Sequence, residues 1–167
     1  MVLPNTGFHT PDGVATGLRH FAEAFGRPVV IYIKAEGYLT PELAAALVKD
    51  GAVSWIKYAI VRKDPAQDAF LAELLELVDR RMIVSGMGEQ PVIRHLRDDK
   101  LGGFTTGCGC IAPRLSMAML AACNAGDWAE AERIRLLFKP LEDLRDGINP
   151  VRVLHAAVAA AGVAETG

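Results

Sequence analysis

Short runs of apolar, β-forming residues recur along the first two thirds of the chain and predict the strands of a sheet. They lie at 29–33, 55–60 and 82–86, with a weaker fourth run at 103–107. The first three are nearly continuous rather than alternating, as expected for strands buried on both faces. A fragment of a further strand, Met1–Leu3, opens the chain. About five strands are therefore predicted.

Helical segments separate these strands, and three of them have clear start signals. In each, an N-cap residue precedes a proline at the first helical position. The three pairs are Thr10-Pro11, Thr40-Pro41 and Asp64-Pro65. The segment 65–79, which follows the last pair, carries an apolar stripe at helical spacing. The first part of the chain is thus a series of alternating strands and helices.

No strand is predicted after residue 112, and the rest of the chain predicts helices. The first runs from Pro113 to Ala125 and ends at Gly126. Asp127 caps the second, which Pro140 is expected to kink or break. The third begins at Asn149-Pro150 and ends near Gly162, as the sequence of cap and stop residues indicates.

Alternating strands and helices predict a parallel sheet with right-handed crossover connections. Two architectures compete: an open doubly wound sheet and a (β/α)8 barrel. The chain has no Gly-x-Gly-x-x-Gly or phosphate-loop pattern after its early strands, which disfavours the nucleotide-binding form of the open sheet. Five strands, in turn, are too few to close an eight-stranded barrel. The pattern alone leaves both architectures open.

Composition and charge narrow the class of protein. The chain has 167 residues, of which 51% are hydrophobic and 23% charged, and its mean hydropathy is +0.21. These values exclude a disordered chain and predict an extensive core, a buried subunit interface or a missing length of chain. Eighteen basic residues stand against twenty acidic ones, giving a net charge of −2. Without a basic stripe, nucleic acid is not expected as a partner.

Three further observations concern the cellular location. No apolar stretch approaches the length of a membrane span, so no membrane association is expected. The first residues do not form a secretory signal. The three cysteines are too few for a disulfide framework and fit a reducing cytoplasm.

The strongest candidate for chemistry is Lys57, in the middle of a predicted buried strand. A buried ammonium loses solvation, which lowers the pKa of the amine and makes it a nucleophile for carbonyl carbons. The alternative is an edge-strand lysine that reaches water.

Tyr32 lies near the end of the preceding strand, where a phenol can relay protons or bind a carboxylate; a core tyrosine is the alternative. Lys34 follows on the same strand face and is expected to be solvated.

Other candidates lie where the later strands end. Thr105 and Thr106 could bring hydroxyl groups to a ligand. Ser85 opens a tight loop, Ser85-Gly86-Met87-Gly88, that could hold a phosphate; a plain turn is the alternative. Cys108 and Cys110 lack a second cluster of ligands at suitable spacing, so small-residue packing is expected and no metal is predicted. We interpret His20 and His95 as residues on helix surfaces.

Several of these motifs, in this order and spacing, resemble the dihydrodipicolinate synthase / N-acetylneuraminate lyase family. The resemblance extends over nearly the whole chain. It rests on Pro28-Val29-Val30-Ile31-Tyr32, Trp55-Ile56-Lys57, Ile83-Val84-Ser85-Gly86, Gly103-Phe104-Thr105-Thr106, Gly126-Asp127 and Asn149-Pro150. Family enzymes have a (β/α)8 barrel with a C-terminal helical extension, and their lysine forms a Schiff base with a 2-oxo acid, often pyruvate. The resemblance implies that Lys57 is this lysine and Tyr32 the proton-relay tyrosine, without a metal or organic cofactor.

The family motifs begin at the fourth barrel strand. The resemblance therefore implies an α/β fold of the TIM-barrel type, with about the last five βα units and the helical extension. Residues 1–112 would form the incomplete barrel, and 113–167 its last helix and the extension. Two motifs of this chain differ from the family pattern. Ile33-Lys34-Ala35 stands where the family usually has Asn-x-Pro, and Tyr58 replaces the acidic residue that often follows the family's lysine.

The resemblance also sets expectations for assembly and substrate. An open half-barrel exposes strand edges and an inner face, so we expect a homo-oligomer or an additional length of chain. Lys57 is expected on the inner face beside Tyr32, with Ser85, Thr105 and Thr106 as substrate-binding residues. The family's carboxylate-binding turn lies in strands 1–3. We therefore expect slow or absent Schiff-base trapping in this chain and ready trapping once those strands are restored.

Overall fold

A computed structural model describes residues 1–4, 7, 9–64 and 66–165. The strands are β1 (Val29–Ile33), β2 (Val53–Tyr58), β3 (Ile83–Ser85) and β4 (Gly103–Phe104). The α-helices are α1 (Pro11–Phe25), α2 (Pro41–Lys49), α3 (Ala69–Leu77), α4 (Pro113–Ala125), α5 (Trp128–Gly147) and α6 (Pro150–Ala160). Short 3₁₀ turns lie at Arg80–Met82 and Cys108–Cys110, and a π-helical turn at Arg94–Asp98.

The chain divides into two compact units. The first contains Met1–Gly86 and Asp99–Gly103, and the second contains Met87–Asp98 and Phe104–Gly167. The division expected at residue 112, between the barrel units and the last barrel helix with the helical extension, stays a prediction.

The strands form one sheet in the order β1-β2-β3-β4. β1 pairs with β2 and β2 with β3, both in parallel, which confirms the parallel α/β arrangement expected from the alternating pattern. The N-terminal strand fragment is also present. Val2 forms an isolated parallel bridge with Ile31, and its N–H donates to Val30 O at 2.7 Å.

The two faces of the first unit's sheet differ in burial. One face is fully buried, and α1 and α2 contact β1 and β2 respectively. Its side chains are Ile31, Ile33, Ile56, Tyr58, Ile83 and Ser85. The other face is only half-buried, and its side chains are Val30, Tyr32, Trp55, Lys57 and Val84. The expectation that the strands are buried on both faces is therefore wrong. A nearly continuous apolar strand does not report how many of its faces are covered.

Two of the three predicted helix starts are confirmed, and the third is wrong. The Thr10 and Thr40 side chains cap α1 and α2 by accepting from the N–H groups three residues on. Asp64 instead accepts from the Ala66 N–H within a turn, and α3 begins later, with Asp68 as its N-cap. Pro65 lies outside the described residues.

The second unit is built around α5, which contacts α4 and α6. Its buried stripe is Ala131, Ile134, Phe138 and Glu142. The helix runs through Pro140 without the possible break, because this stripe packs on both sides of the proline.

His95 is buried within the π-helical turn, so its interpretation as a surface residue is also wrong. Over the described residues, no helix combines the length and apolar character needed to cross a membrane.

Candidate active site

Lys57 lies near the carboxyl end of β2, on the half-buried face of the sheet. The strand register pairs it with Tyr32 of β1 and Val84 of β3. Its Nζ atom lies over the Tyr32 ring, 4.4 Å from the ring centroid. The structure therefore brings the two predicted catalytic residues together on one face, at the end of the strands where ligands bind in parallel α/β proteins.

Gly86 bounds the other side of the Lys57 side chain. Its N–H donates to Tyr58 O at 2.6 Å, which continues the pairing of β2 with β3. A Cβ atom at this position would lie 2.9 Å from Lys57 Cγ and 2.8 Å from Tyr58 O. Only glycine leaves room here for both the lysine stem and the strand backbone.

Two features of the surroundings of Lys57 lower the pKa of its amine. Burial lowers the pKa of Lys57, and the nearby positive charge of Lys34 lowers it further. The ring contact favours the ammonium and opposes this effect. Within the described part of the chain, no carboxylate pairs with Lys57. Burial also raises the pKa of Tyr32, so its phenol is protonated at neutral pH. The pair thus places an amine of lowered pKa beside a protonated phenol.

The three predicted substrate-binding residues lie in different surroundings. Ser85 is buried and aligned with Tyr58, so the alternation of side chains places it on the face opposite Lys57. Thr106 belongs to the second unit, where its hydroxyl donates to Glu89 and accepts from the Gly109 N–H at 2.9 Å. Thr105 is half-buried in the same unit. Their roles in substrate binding stay predictions.

A polar network at the carboxyl ends of β1 and β2 was not predicted from the sequence. The Tyr58 hydroxyl donates to Asp68 Oδ2 at 2.5 Å. Arg62 donates to the other oxygen of Asp68 at 3.0 Å and to Glu36 at 2.5 Å. Since Asp68 also caps α3, the network connects both strand ends to the start of that helix.

A second polar cluster, also missed by the sequence analysis, is buried in the second unit. Cys108 Sγ donates to Glu142 Oε1 at 2.9 Å, and Arg145 donates to the same oxygen. Burial and the adjacent carboxylate raise the pKa of the Cys108 thiol. Glu89, Cys108 and Glu142 have ligand atoms within 4.8 Å of one another, close enough to hold a metal ion. Their contacts, however, are those of a protonated thiol and a carboxylate already balanced by an arginine.

Glu89 is the least compensated member of this cluster. Its Oε1 accepts from Thr106 and, at 3.2 Å, from Ser116. Its Oε2 is buried and has no hydrogen-bond partner among the described residues. Burial, reinforced by the charge of Glu142, raises the pKa of Glu89. The folded chain therefore binds this proton more tightly than the unfolded chain, and stability falls as the pH rises above about 4.3 and through the folded pKa.

Replacing Glu89 with glutamine should therefore remove part of this pH dependence. Relative to the unmodified chain, E89Q should gain stability between about pH 5 and pH 8, since glutamine keeps the Oε1 acceptor but carries no charge. Urea unfolding at both pH values measures the difference. Glu132 is the control, because Arg135 lowers the pKa of this carboxyl. E132Q should not gain stability over the same interval. An equal gain in stability in E89Q and E132Q would contradict the conclusion that Glu89 causes this pH dependence.

No family model matches this chain, and the comparison with curated proteins found no relative. Solved structures do match it. A dihydrodipicolinate synthase from Oceanobacillus iheyensis superposes with a TM-score of 0.80 and 23% identity over 97% of this chain and 54% of that chain. A dihydrodipicolinate synthase from Bacillus clausii superposes with a TM-score of 0.75 and 24% identity, over 89% of this chain and 49% of that chain. The dihydrodipicolinate synthase from Agrobacterium tumefaciens has a TM-score of 0.77 and 20% identity, over 98% of this chain and 56% of that chain.

The chain thus spans about half the length of the structures that it matches. At this level of identity the comparison concerns the fold. Its parallel strands and following helices match part of a TIM barrel, consistent with a C-terminal portion. The resemblance inferred from the sequence motifs is confirmed in these terms: the chain has the fold of a partial dihydrodipicolinate synthase barrel.

Proposed function

We propose that this chain carries the catalytic lysine of a lyase or aldolase that acts on a 2-oxo acid, such as pyruvate, through a Schiff base. The observation that carries the proposal is the position of Lys57. Its amine lies over the Tyr32 ring on the half-buried sheet face, in surroundings that lower its pKa. The matching structures are those of dihydrodipicolinate synthases, which supports the same class of enzyme.

In the proposed reaction, the neutral Lys57 amine attacks the ketone carbon of the 2-oxo acid. Loss of water gives an imine, and its protonated form accepts the electron pair released when a neighbouring C–H or C–C bond breaks. The Tyr32 phenol shuttles the proton that enamine formation releases and that protonation of the enamine carbon takes up. Each step uses groups on one sheet face, and no metal or organic cofactor is invoked.

Pyruvate followed by borohydride tests this proposal. Reduction of the imine should leave one pyruvate-derived mass increase on the Lys57 peptide, and K57A should lose it. We expect slow trapping in this chain, because the family's carboxylate-binding turn lies in strands 1–3. Without two charge-assisted contacts from that turn, of about 1.5–3 kcal/mol each, the affinity for pyruvate falls roughly a hundredfold or more. Joining the preceding βα units of a dihydrodipicolinate synthase should accelerate the reaction. Labelling of Lys57 no greater than that of the exposed Lys49 in both proteins would overturn the proposal.

We also propose that the chain forms a homo-oligomer in the cytoplasm. The half-buried sheet face of the first unit carries Val30, Trp55 and Val84, which are costly to leave in water. The three free cysteines fit a reducing compartment. Light scattering tests the assembly, and a well-behaved monomer of 17.9 kDa would contradict it. An oligomer whose Lys57 does not trap pyruvate would favour a non-catalytic half-barrel.

A further inference from the structure

We propose that the hydrogen bond from Tyr58 to Asp68 is a positioning link that keeps the Lys57 amine aligned with Tyr32. The link is the contact from the Tyr58 hydroxyl to Asp68 Oδ2, at 2.5 Å. The inference rests on the proposed function and adds two positioning residues to it. Both act on Lys57 through the backbone of β2.

The backbone at Tyr58 is bonded to both neighbouring strands. Tyr58 directly follows Lys57, at the carboxyl end of β2. Its carbonyl oxygen accepts from the Gly86 N–H at 2.6 Å, and the Ala59 N–H donates to Ile33 O at 2.8 Å. Successive side chains point to opposite faces of a strand, so a rotation of the backbone at Tyr58 also turns Lys57 on the other face. Whatever fixes Tyr58 therefore fixes the direction of Lys57.

The first turn of α3 fixes the Tyr58 side chain. This side chain is fully buried, and its ring stacks on Phe70 with the ring centroids 6.1 Å apart. Asp68, which accepts from the hydroxyl, is itself held in place. Its Oδ1 atom accepts from the Leu71 N–H at 3.1 Å, as the N-cap of α3, and from Arg62 at 3.0 Å. The side chain of Asp68 is only 6% exposed, so the link is a buried one.

Packing alone does not require this link. A phenylalanine would fill nearly the same volume as Tyr58, and replacing buried charged groups with apolar ones of similar volume is often neutral for stability. The hydroxyl adds a fixed direction. Imine formation and proton transfer need the Lys57 nitrogen and Tyr32 in one arrangement, and a misplacement of about 1 Å can slow a reaction about a hundredfold. The link thus maintains the arrangement in which Nζ lies 4.4 Å from the Tyr32 ring centroid.

Two measurements with pyruvate test the link. Borohydride labelling of Lys57 reports the imine, and exchange of the pyruvate methyl protons in deuterium oxide reports proton transfer from that imine through Tyr32. The ratio of exchange to labelling cancels the folded fraction, because unfolded molecules contribute to neither. A purely structural role of the link would leave this ratio unchanged.

Y58F keeps the ring and removes only the hydroxyl, so it should lower the ratio by about tenfold or more. D68S keeps a good N-cap residue but is too short to preserve the link, and should lower the ratio by a similar factor. The double variant should be no lower than either single variant, because both substitutions remove the same contact.

The control is Y38F, which changes another buried tyrosine of the same unit, 5% exposed, and should keep the original ratio. An unchanged ratio in Y58F, an equal fall in Y38F, or additive falls in the double variant would overturn the link and leave the Schiff-base proposal standing. Absence of both labelling and exchange, in this chain and in the chain joined to the preceding βα units of a dihydrodipicolinate synthase, would overturn the proposed function and this inference with it.

Discussion

Replacing Arg145 with methionine is expected to lower the free energy of unfolding by about 3–5 kcal/mol. Arg145 is the cation that balances Glu142, and the two side chains are only 15% and 3% exposed. Methionine keeps the unbranched apolar stem of the side chain but leaves a buried carboxylate with Cys108 as its remaining donor. Desolvation without a counter-charge makes such a group costly. Urea unfolding at neutral pH measures the loss.

The same helix provides a matched control. Arg133 and Glu130 form an ion pair with the same i,i+3 spacing, but their side chains are 59% and 41% exposed. R133M should therefore cost less than about 1 kcal/mol. Adding E142Q to R145M removes the stranded charge and should recover more than about 1 kcal/mol. Equal losses from the two arginine variants, or no recovery in the double variant, would contradict the account of this cluster.

Replacing Gly86 with alanine is expected to slow pyruvate trapping at Lys57 about a hundredfold. The added Cβ would lie 2.9 Å from Lys57 Cγ, 2.9 Å from Ala59 Cβ and 2.8 Å from Tyr58 O. One of these contacts is with backbone, so the end of β3 must move as well as the lysine stem. Overpacking of this kind costs about 1–3 kcal/mol, so G86A should also unfold at lower urea concentration.

Gly103 is the matched control for this substitution. It belongs to the same unit, and a Cβ there would meet no atom within 4 Å. G103A should therefore trap pyruvate at nearly the original rate. Comparing initial trapping rates for the two folded variants, each corrected for its folded fraction, isolates the effect on Lys57. Equal rates in G86A and the unmodified chain would show that Gly86 does not position the lysine.

Local signals were sufficient to predict much of the fold. The apolar run at 29–33 is β1, and Thr10 and Thr40 cap the helices that they precede. Each depends on residues close together in the sequence. The start of α3 differs because Asp64 and Asp68 are both suitable caps. Asp68 also binds Tyr58 and Arg62, and such long-range contacts are not encoded in a local pattern.

The site could be predicted in part for a similar reason. A lysine inside an apolar strand can be recognised from the sequence alone, and Lys57 lies beside Tyr32 as expected. Glu142 also had a usable signal, since it falls on the apolar stripe of α5 where a charge requires a partner. The steric role of Gly86 had none. It depends on the distance to the neighbouring strand, which only the packed sheet defines.

Exchange of the pyruvate methyl protons in deuterium oxide, followed by proton NMR, tests the central claim most directly. The exchange requires imine formation at Lys57 and proton transfer through Tyr32, so it reports both roles in one reaction. The account predicts exchange with the unmodified chain and with K49A, and none above background with K57A. Y32F keeps the aromatic ring beneath the amine and should slow exchange by about 10²–10⁴-fold. Exchange at the K57A rate both by the unmodified chain and by the chain joined to the preceding βα units of a dihydrodipicolinate synthase would contradict the account.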